Sequence, residues 1–186
     1  MKDLKWKTLK SEQLFKDLWF SVRKETCERP DGKIVTPYYV YEFPTWVCAV
    51  AVTDDGKVII ERQYRHGAGI TGWELPGGCM DDTDATHKDA AARELLEETG
   101  YVFDEYIYLG KTSSNPSTNN NWMHMYLATG GKLVQTQNLD ENEEIEIYTF
   151  TIDEIKEMLN RNEFLQAMHV TTFFYAFQKM VELKLI

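Results

Sequence analysis

The sequence predicts an α/β protein in which a mixed β-sheet lies between helices, with extra strands at the N-terminus. Three observations carry that expectation. β-rich runs separated by turn residues fill much of the chain. One strongly acidic helix interrupts them near the middle, and two amphipathic helical segments follow late. A length of 186 residues with 43% hydrophobic content suits a single domain with a substantial core. We read 1–186 as that domain, with 1–43 as a strand extension and 44–186 as the core.

The elements follow in order. In the extension, Phe20 to Cys27 alternates in part, Pro30-Asp31-Gly32-Lys33 is a hairpin signal, and Ile34 to Phe43 is rich in Tyr and Val. Trp46 to Val52 is a continuous apolar run, as expected of a strand buried on both faces. Asp54-Asp55-Gly56-Lys57 turns the chain into a strand over Val58–Arg65. The acidic helix has Thr86 as N-cap with Asp89 three residues on, and Gly100 stops it in a left-handed cap. Its apolar side is Ala90, Ala91, Leu95 and Leu96. Strands are expected again over Glu105–Leu109, Trp122–Thr129 and Ile145–Thr151. Asp153 is expected to cap a short helix through Leu159, and a longer helix to run from about Glu163 to Leu183.

Bulk properties exclude some functions. A formal net charge of −10 argues against a nucleic-acid backbone as main partner, because that contact needs a basic footprint. Cys27, Cys48 and Cys79 are an odd, scattered set, which reads as reduced thiols and a cytoplasmic location. The N-terminus lacks a signal-peptide core, and no segment is long and apolar enough to span a bilayer.

The chemistry concentrates in Gly77-Gly78-Cys79-Met80 and the run Arg93-Glu94-Leu95-Leu96-Glu97-Glu98-Thr99-Gly100-Tyr101. Helical spacing puts Glu94, Glu97 and Glu98 in one wedge, where each like-charge neighbour costs roughly 0.2–0.5 kcal/mol. A hard divalent cation would turn that repulsion into coordination. An acidic helix face alone is more often simply solvated; the family resemblance of the surrounding residues is what makes Mg²⁺, with Mn²⁺ as a substitute, the expected cofactor and Glu94 and Glu98 its direct ligands. Glu97 would ligate a further ion or bond metal-bound water. Arg93, four residues before Glu97, can hold it in place.

These residues resemble the Nudix hydrolase signature: Gly, five residues, Glu, seven residues, then Arg-Glu-apolar-x-Glu-Glu-x-Gly-apolar. Arg93 to Tyr101 matches it completely. The front half departs: from Gly78 the first glutamate would fall on Asp84, whereas counting back from Arg93 it would fall on Ala85. The loop is one residue long and one glutamate short. Preceding them, Gln63-Tyr64-Arg65 resembles the Gln-Tyr-Arg of the ADP-ribose branch of the family.

The resemblance implies an α/β/α sandwich whose catalytic core is 44–186 and whose N-terminal strands mediate a homodimer. It implies Mg²⁺-dependent hydrolysis of a nucleotide sugar, ADP-ribose or an ADP-sugar above all, to a nucleoside monophosphate and a sugar phosphate. It brings the Gly77 carbonyl into the metal shell and Arg65 to a substrate phosphate, with Arg62 beside it. Pro116 falls near a proline of that branch, within the polar loop Asn115–Asn121. A catalytic glutamate from a mobile loop points to Glu143 or Glu141. Trp46 or Trp73 could stack on a base. His66, His87, His124 and His169 show no ligand spacing. Two alternatives stay open: a nucleotide-binding sensor with weakened catalysis, motivated by the missing glutamate, and a hydrolase of another substrate such as GDP-mannose, a triphosphate or a coenzyme A ester.

Overall fold

Turn chemistry organises the N-terminal strands. In the computed structural model, which describes residues 1–186, β1 (Lys7–Lys16), β2 (Ser21–Glu28) and β3 (Ile34–Glu42) form an antiparallel meander in that order. Gly32 takes φ 80° in the β2–β3 turn and donates its N–H to Arg29 at 2.9 Å, a conformation that a side chain would oppose. β1 is an edge strand exposed along its whole length.

The chain divides into two units, Met1–Pro44 with Ser113–Asn121, and Thr45–Thr112 with Trp122–Ile186. The loop Ser113–Asn121, expected inside 44–186, thus belongs with the N-terminal strands. Tyr41 exchanges backbone bonds with it, donating to the Thr118 carbonyl at 2.7 Å and accepting from Asn120 at 3.1 Å. The Tyr38 hydroxyl donates to the Ser117 carbonyl.

The second unit is built on a seven-stranded mixed sheet. Its main path is β10 (Ile145–Phe150), β5 (Val58–Arg65), β4 (Trp46–Thr53), β9 (Met123–Leu133) and β7 (Tyr101–Val102). β6 (Ile70–Glu74) pairs with β5, and β8 (Glu105–Thr112) with β9. Only β4 and β9 run parallel.

The apolar run of β4 is buried as its composition requires, with alternate residues entering two cores. Val47, Ala49 and Ala51 meet Ala90, Ala91 and Leu95 of α1 (His87–Thr99). Val50 and Val52 join Ile155 and Met158 of α2 (Ile152–Asn160) and Phe173, Ala176 and Met180 of α3 (Ala167–Glu182). Helices therefore cover both faces of the sheet.

Several expected boundaries shift for local reasons. Thr151, not Asp153, caps α2: its hydroxyl accepts from the Glu154 N–H while the Glu154 carboxylate reaches back, a complete capping box. Asp153 lies in the first turn and pairs with Lys156. α3 starts at Ala167 rather than Glu163, after Asn162 takes a left-handed φ of 56° and Phe164 is drawn into the core. β8 and β9 run on to Thr112 and Leu133, past the expected Leu109 and Thr129. β6 had no expectation attached to it.

Candidate active site

α1 carries the acidic motif, and its ends form as their residues dictate. The Thr86 hydroxyl accepts from Asp89 N–H at 3.2 Å, and Gly100 closes the helix at φ 77° with its N–H on the Leu96 carbonyl at 3.0 Å. The stripe of Ala90, Ala91 and Leu95 is turned to the sheet, and it pulls its helical neighbours inward with it. Glu94 and Glu98 are buried, whereas the Glu97 side chain stays 39% exposed. The wedge of three carboxylates is thus two inside and one out.

Opposite them runs the turn Leu75–Gly78. Its carbonyls alternate: Pro76 and Gly78 accept from Ala49 and Val47 of β4 at 3.1 and 2.9 Å, leaving the Gly77 carbonyl outside that ladder. The Gly77 N–H donates to Glu98 Oε2 at 2.8 Å. A Cβ on Gly77, at φ 150°, would sit 2.2 Å from the Val47 carbonyl oxygen, and one on Gly78 would sit 2.5 Å from Glu94 Oε1. One glycine thus lets backbone approach backbone, and the other clears space for a carboxylate. Leu75 N–H donates to Nδ1 of the buried His169 at 3.2 Å, tying the turn to α3.

Arg93 is the clamp of the site. It holds Glu97 at 2.9 Å and Glu94 at 3.2 Å through Nη1, and its Nη2 donates to the Cys79 carbonyl at 2.9 Å. It also holds Asp84 bidentately at 3.1 and 2.9 Å, with Asp81 at 3.8 Å from Nε. The Asp84 side chain is only 5% exposed and also accepts from Asp81 N–H at 3.0 Å. The loop with the extra residue closes on itself through Asp81 and delivers a shorter carboxylate to the arginine. Arg93 in turn holds the Asp84 carboxyl below its usual range.

The interior of the site is electrostatically strained. Burial pushes the Glu94 carboxyl up to about 7 and raises those of Glu98 and Glu61, the latter two facing each other. Glu61, on β5, is 2% exposed, and its Oε1 has no hydrogen-bond partner. Such a set of buried, mutually opposed oxygens, one of them orphaned, fits a hard divalent cation. No three such side chains converge on one point. An ion held here would therefore complete its shell with water and phosphate, as Mg²⁺ ordinarily does.

The other expected residues are distributed as follows. Arg65 is bound bidentately by the buried Glu74 at 2.8 and 2.6 Å across the β5–β6 ladder. Arg62 pairs at 2.8 Å with Glu146, its register partner on β10, at an exposed position. Trp46 begins β4 and bridges Cys79, and Trp73 packs edge-on against Tyr148 and Phe150. Pro116 lies in the loop that packs with β3. Glu143 is half-buried and its charge bears on Glu94 and Glu61, while Glu141 is exposed. His87 and His124 stack 4.0 Å apart, bonded to the Tyr126 and Tyr108 hydroxyls respectively.

The sequence did not single out Glu61 or Glu74, and His169 stood there only as a histidine without ligand spacing. A signal existed for Glu61: in a strand whose Val58, Ile59 and Ile60 are all buried, a carboxylate on the face shared with Ile59 needs a reason. Nothing in sequence links His169 to Leu75, 94 positions away.

Comparison with known proteins identifies the family. Residues 43–168 match the NUDIX domain, and residues 6–41 match the nucleoside diphosphate sugar hydrolase N-terminal domain. The chain is 30% identical over 168 residues to an ADP-ribose pyrophosphatase of Bacillus subtilis, covering 90% of each. It is 35% identical over 125 residues to an ADP-ribose pyrophosphatase of Mycobacterium tuberculosis, covering 67% of this chain and 60% of the other. Among solved structures, one described as an ADP compounds hydrolase superposes with a TM-score of 0.82 at 23% identity, covering 98% of both chains, a likeness of fold.

Proposed function

This chain belongs to the NUDIX domain family, and on that premise we propose that it hydrolyses the diphosphate linkage of a nucleotide sugar, ADP-ribose or an ADP-sugar, with Mg²⁺ or Mn²⁺ as cofactor. The observation that carries the reading is the pair of buried carboxylates, Glu94 and Glu98, set against the Gly77–Gly78 turn by a clamped Arg93. The bound cation would polarise phosphoryl oxygens and lower the pKa of a coordinated water.

In this reading Glu94 and Glu98 hold the ion together with the Gly77 carbonyl. Glu97, the exposed member, holds a further ion or orients water. Arg93 fixes Glu94 and Glu97 and ties them to Asp84, a positioning role. Arg65, aimed by Glu74, contacts a substrate phosphate with the N–H groups that Glu74 leaves available. Arg62, held by Glu146 at an exposed edge, is assigned no part. Water adds to one phosphorus and the bridging P–O bond breaks, giving AMP and a sugar phosphate. Glu143 accepts the proton that the water gives up. Its carboxylate now caps its own loop, accepting from Asp140 N–H at 3.1 Å, so that bond opens first.

The sensor alternative was motivated by a missing glutamate, and Asp84 makes the arginine contacts that would keep the motif together. The test is incubation with ADP-ribose and Mg²⁺ and detection of AMP, alongside GDP-mannose, dinucleotides, nucleoside triphosphates and coenzyme A esters. Turnover of none of them would sink the enzymatic reading. Turnover of one of the others alone would move the substrate class.

Exposed Leu9, Leu14, Phe15 and Trp19 in the N-terminal unit support a homodimer, which light scattering would weigh. Three free thiols support a cytoplasmic location. No helix is long and apolar enough to cross a membrane.

A further inference from the structure

β5 carries a carboxylate where a strand covered on both faces calls for an apolar side chain. Val58 and Ile60 enter the core beneath α2 and α3, so by alternation Ile59 and Glu61 face α1. Glu61 is 2% exposed, and its Oε1 is without any hydrogen-bond partner. It lies within hydrogen-bonding reach of Glu98, itself buried. The cation whose charge bears on it, Arg65, is already engaged by Glu74 through Nε and Nη2.

Two carboxylates facing each other out of water are strongly unfavourable, and an apolar residue of similar volume would serve the fold better. A proton shared between the two carboxyls would relieve the charge but leave Glu61 Oε1 without a partner, whereas an ion from outside the chain would satisfy both. The orphaned oxygen points to its chemistry: a hard divalent cation, which takes oxygen ligands and neutralises both charges.

We propose that Glu61 is a further carboxylate of the cation centre, contributed by the sheet and lying outside the helical motif, and that Glu61 and Glu98 together hold one divalent ion. The inference rests on the metal dependence in the function proposed above and is independent of the substrate named there. It gives that ion a ligand on each side, the helix supplying Glu98 and the strand supplying Glu61. Because β5 is pinned between β4 and β10, the strand side is rigid. The ion would thereby bind to a floor that does not move with the catalytic loop.

The test is a Mn²⁺ titration of the full chain, read by calorimetry and by the Mn²⁺ electron paramagnetic resonance signal, with no substrate present. Wild type, Glu61→Gln and Glu61→Val are compared. The expected result is a loss of Mn²⁺ affinity on the order of 10–100-fold in both variants. Their metal-free melting temperatures should equal or exceed that of wild type, and the rise in melting temperature on adding Mn²⁺ should shrink.

Glu61→Gln binding Mn²⁺ as tightly as wild type would overturn the proposal, leaving a carboxyl pair that merely shares a proton. So would a wild-type chain that leaves the free-Mn²⁺ signal undiminished. Should Glu61→Gln fail to fold, Glu61→Val places an apolar group in the buried strand and carries the same comparison. A chain that leaves ADP-ribose intact yet loses Mn²⁺ affinity in these variants supports this inference while refuting the substrate. Turnover with unchanged Mn²⁺ binding does the reverse.

Discussion

Asp84→Ala is the sharpest perturbation of the motif's degraded half. The wild-type carboxylate makes two charge-assisted bonds to Arg93, at 3.1 and 2.9 Å, and a third with Asp81 N–H at 3.0 Å, in a position 5% exposed. Removing one member of a buried ion pair costs about 3–5 kcal/mol. Arg93 keeps Glu94 and Glu97 and is partly solvated, so the lower end applies, about 3 kcal/mol. For a chain of this size that corresponds to a fall of roughly 6–12 °C in Tm. Asp84→Asn should lose about half as much, since it keeps an acceptor.

The pH dependence follows from the lowered Asp84 carboxyl. A depressed folded-state pKa contributes stability above the unfolded value, roughly 3.9, and loses it as pH falls through the folded value. The gap between wild type and Asp84→Asn should therefore be constant near neutrality and close on acidification. Thermal melts followed by circular dichroism across pH provide the measurement, with ADP-ribose turnover beside them. A variant that melts within a degree of wild type and turns over normally would refute the claim that Asp84 stands in for the absent glutamate.

Other outcomes follow from the same geometry. Glu98→Gln should abolish metal-dependent hydrolysis, at least 10²-fold by order of magnitude for a lost ligand, while raising the metal-free melting temperature, because one buried charge is gone. Gly78→Ala should lower activity with modest effect on folding, because its Cβ meets only the end of Glu94. Gly77→Ala should destabilise the fold, because its Cβ meets the β4 backbone; a denaturation curve and an activity assay on each separate the two. His169→Leu leaves Leu75 N–H unpaired and should cost about 1–3 kcal/mol at neutral pH. Burial lowers the His169 pKa to about 4, so wild type pays an acid penalty that grows from pH 6.5 down to that value, about 3 kcal/mol in all. The variant lacks it, and its deficit in stability should shrink over that window; a deficit that does not change with pH would contradict the buried neutral imidazole.

The local features of this protein were legible from sequence because they depend on neighbours in the chain. The Thr86 and Gly100 caps, the hairpin at Gly32 and the two-faced burial of Trp46–Val52 each follow from a short window of side chains and backbone preference. So did the clustering of Glu94, Glu97 and Glu98, a matter of helical period. Helix ends that depend on a side chain reaching back, as at Thr151, were displaced by one or two positions. What the sequence by itself determined was therefore the motif and the elements that carry it.

Only the tertiary structure decided how charge is distributed within the site. Which glutamates are buried depends on where the apolar stripe of α1 meets the sheet, so Glu97 stays out while Glu94 and Glu98 go in. The substitution of Asp84 for a glutamate could be judged only once the longer loop was seen to fold back on Arg93. Glu61 and His169 owe their roles to partners 37 and 94 residues away, Glu98 and Leu75, brought near by packing of the whole sheet. Burial and long-range pairing are properties of the closed core, and no window of sequence contains them.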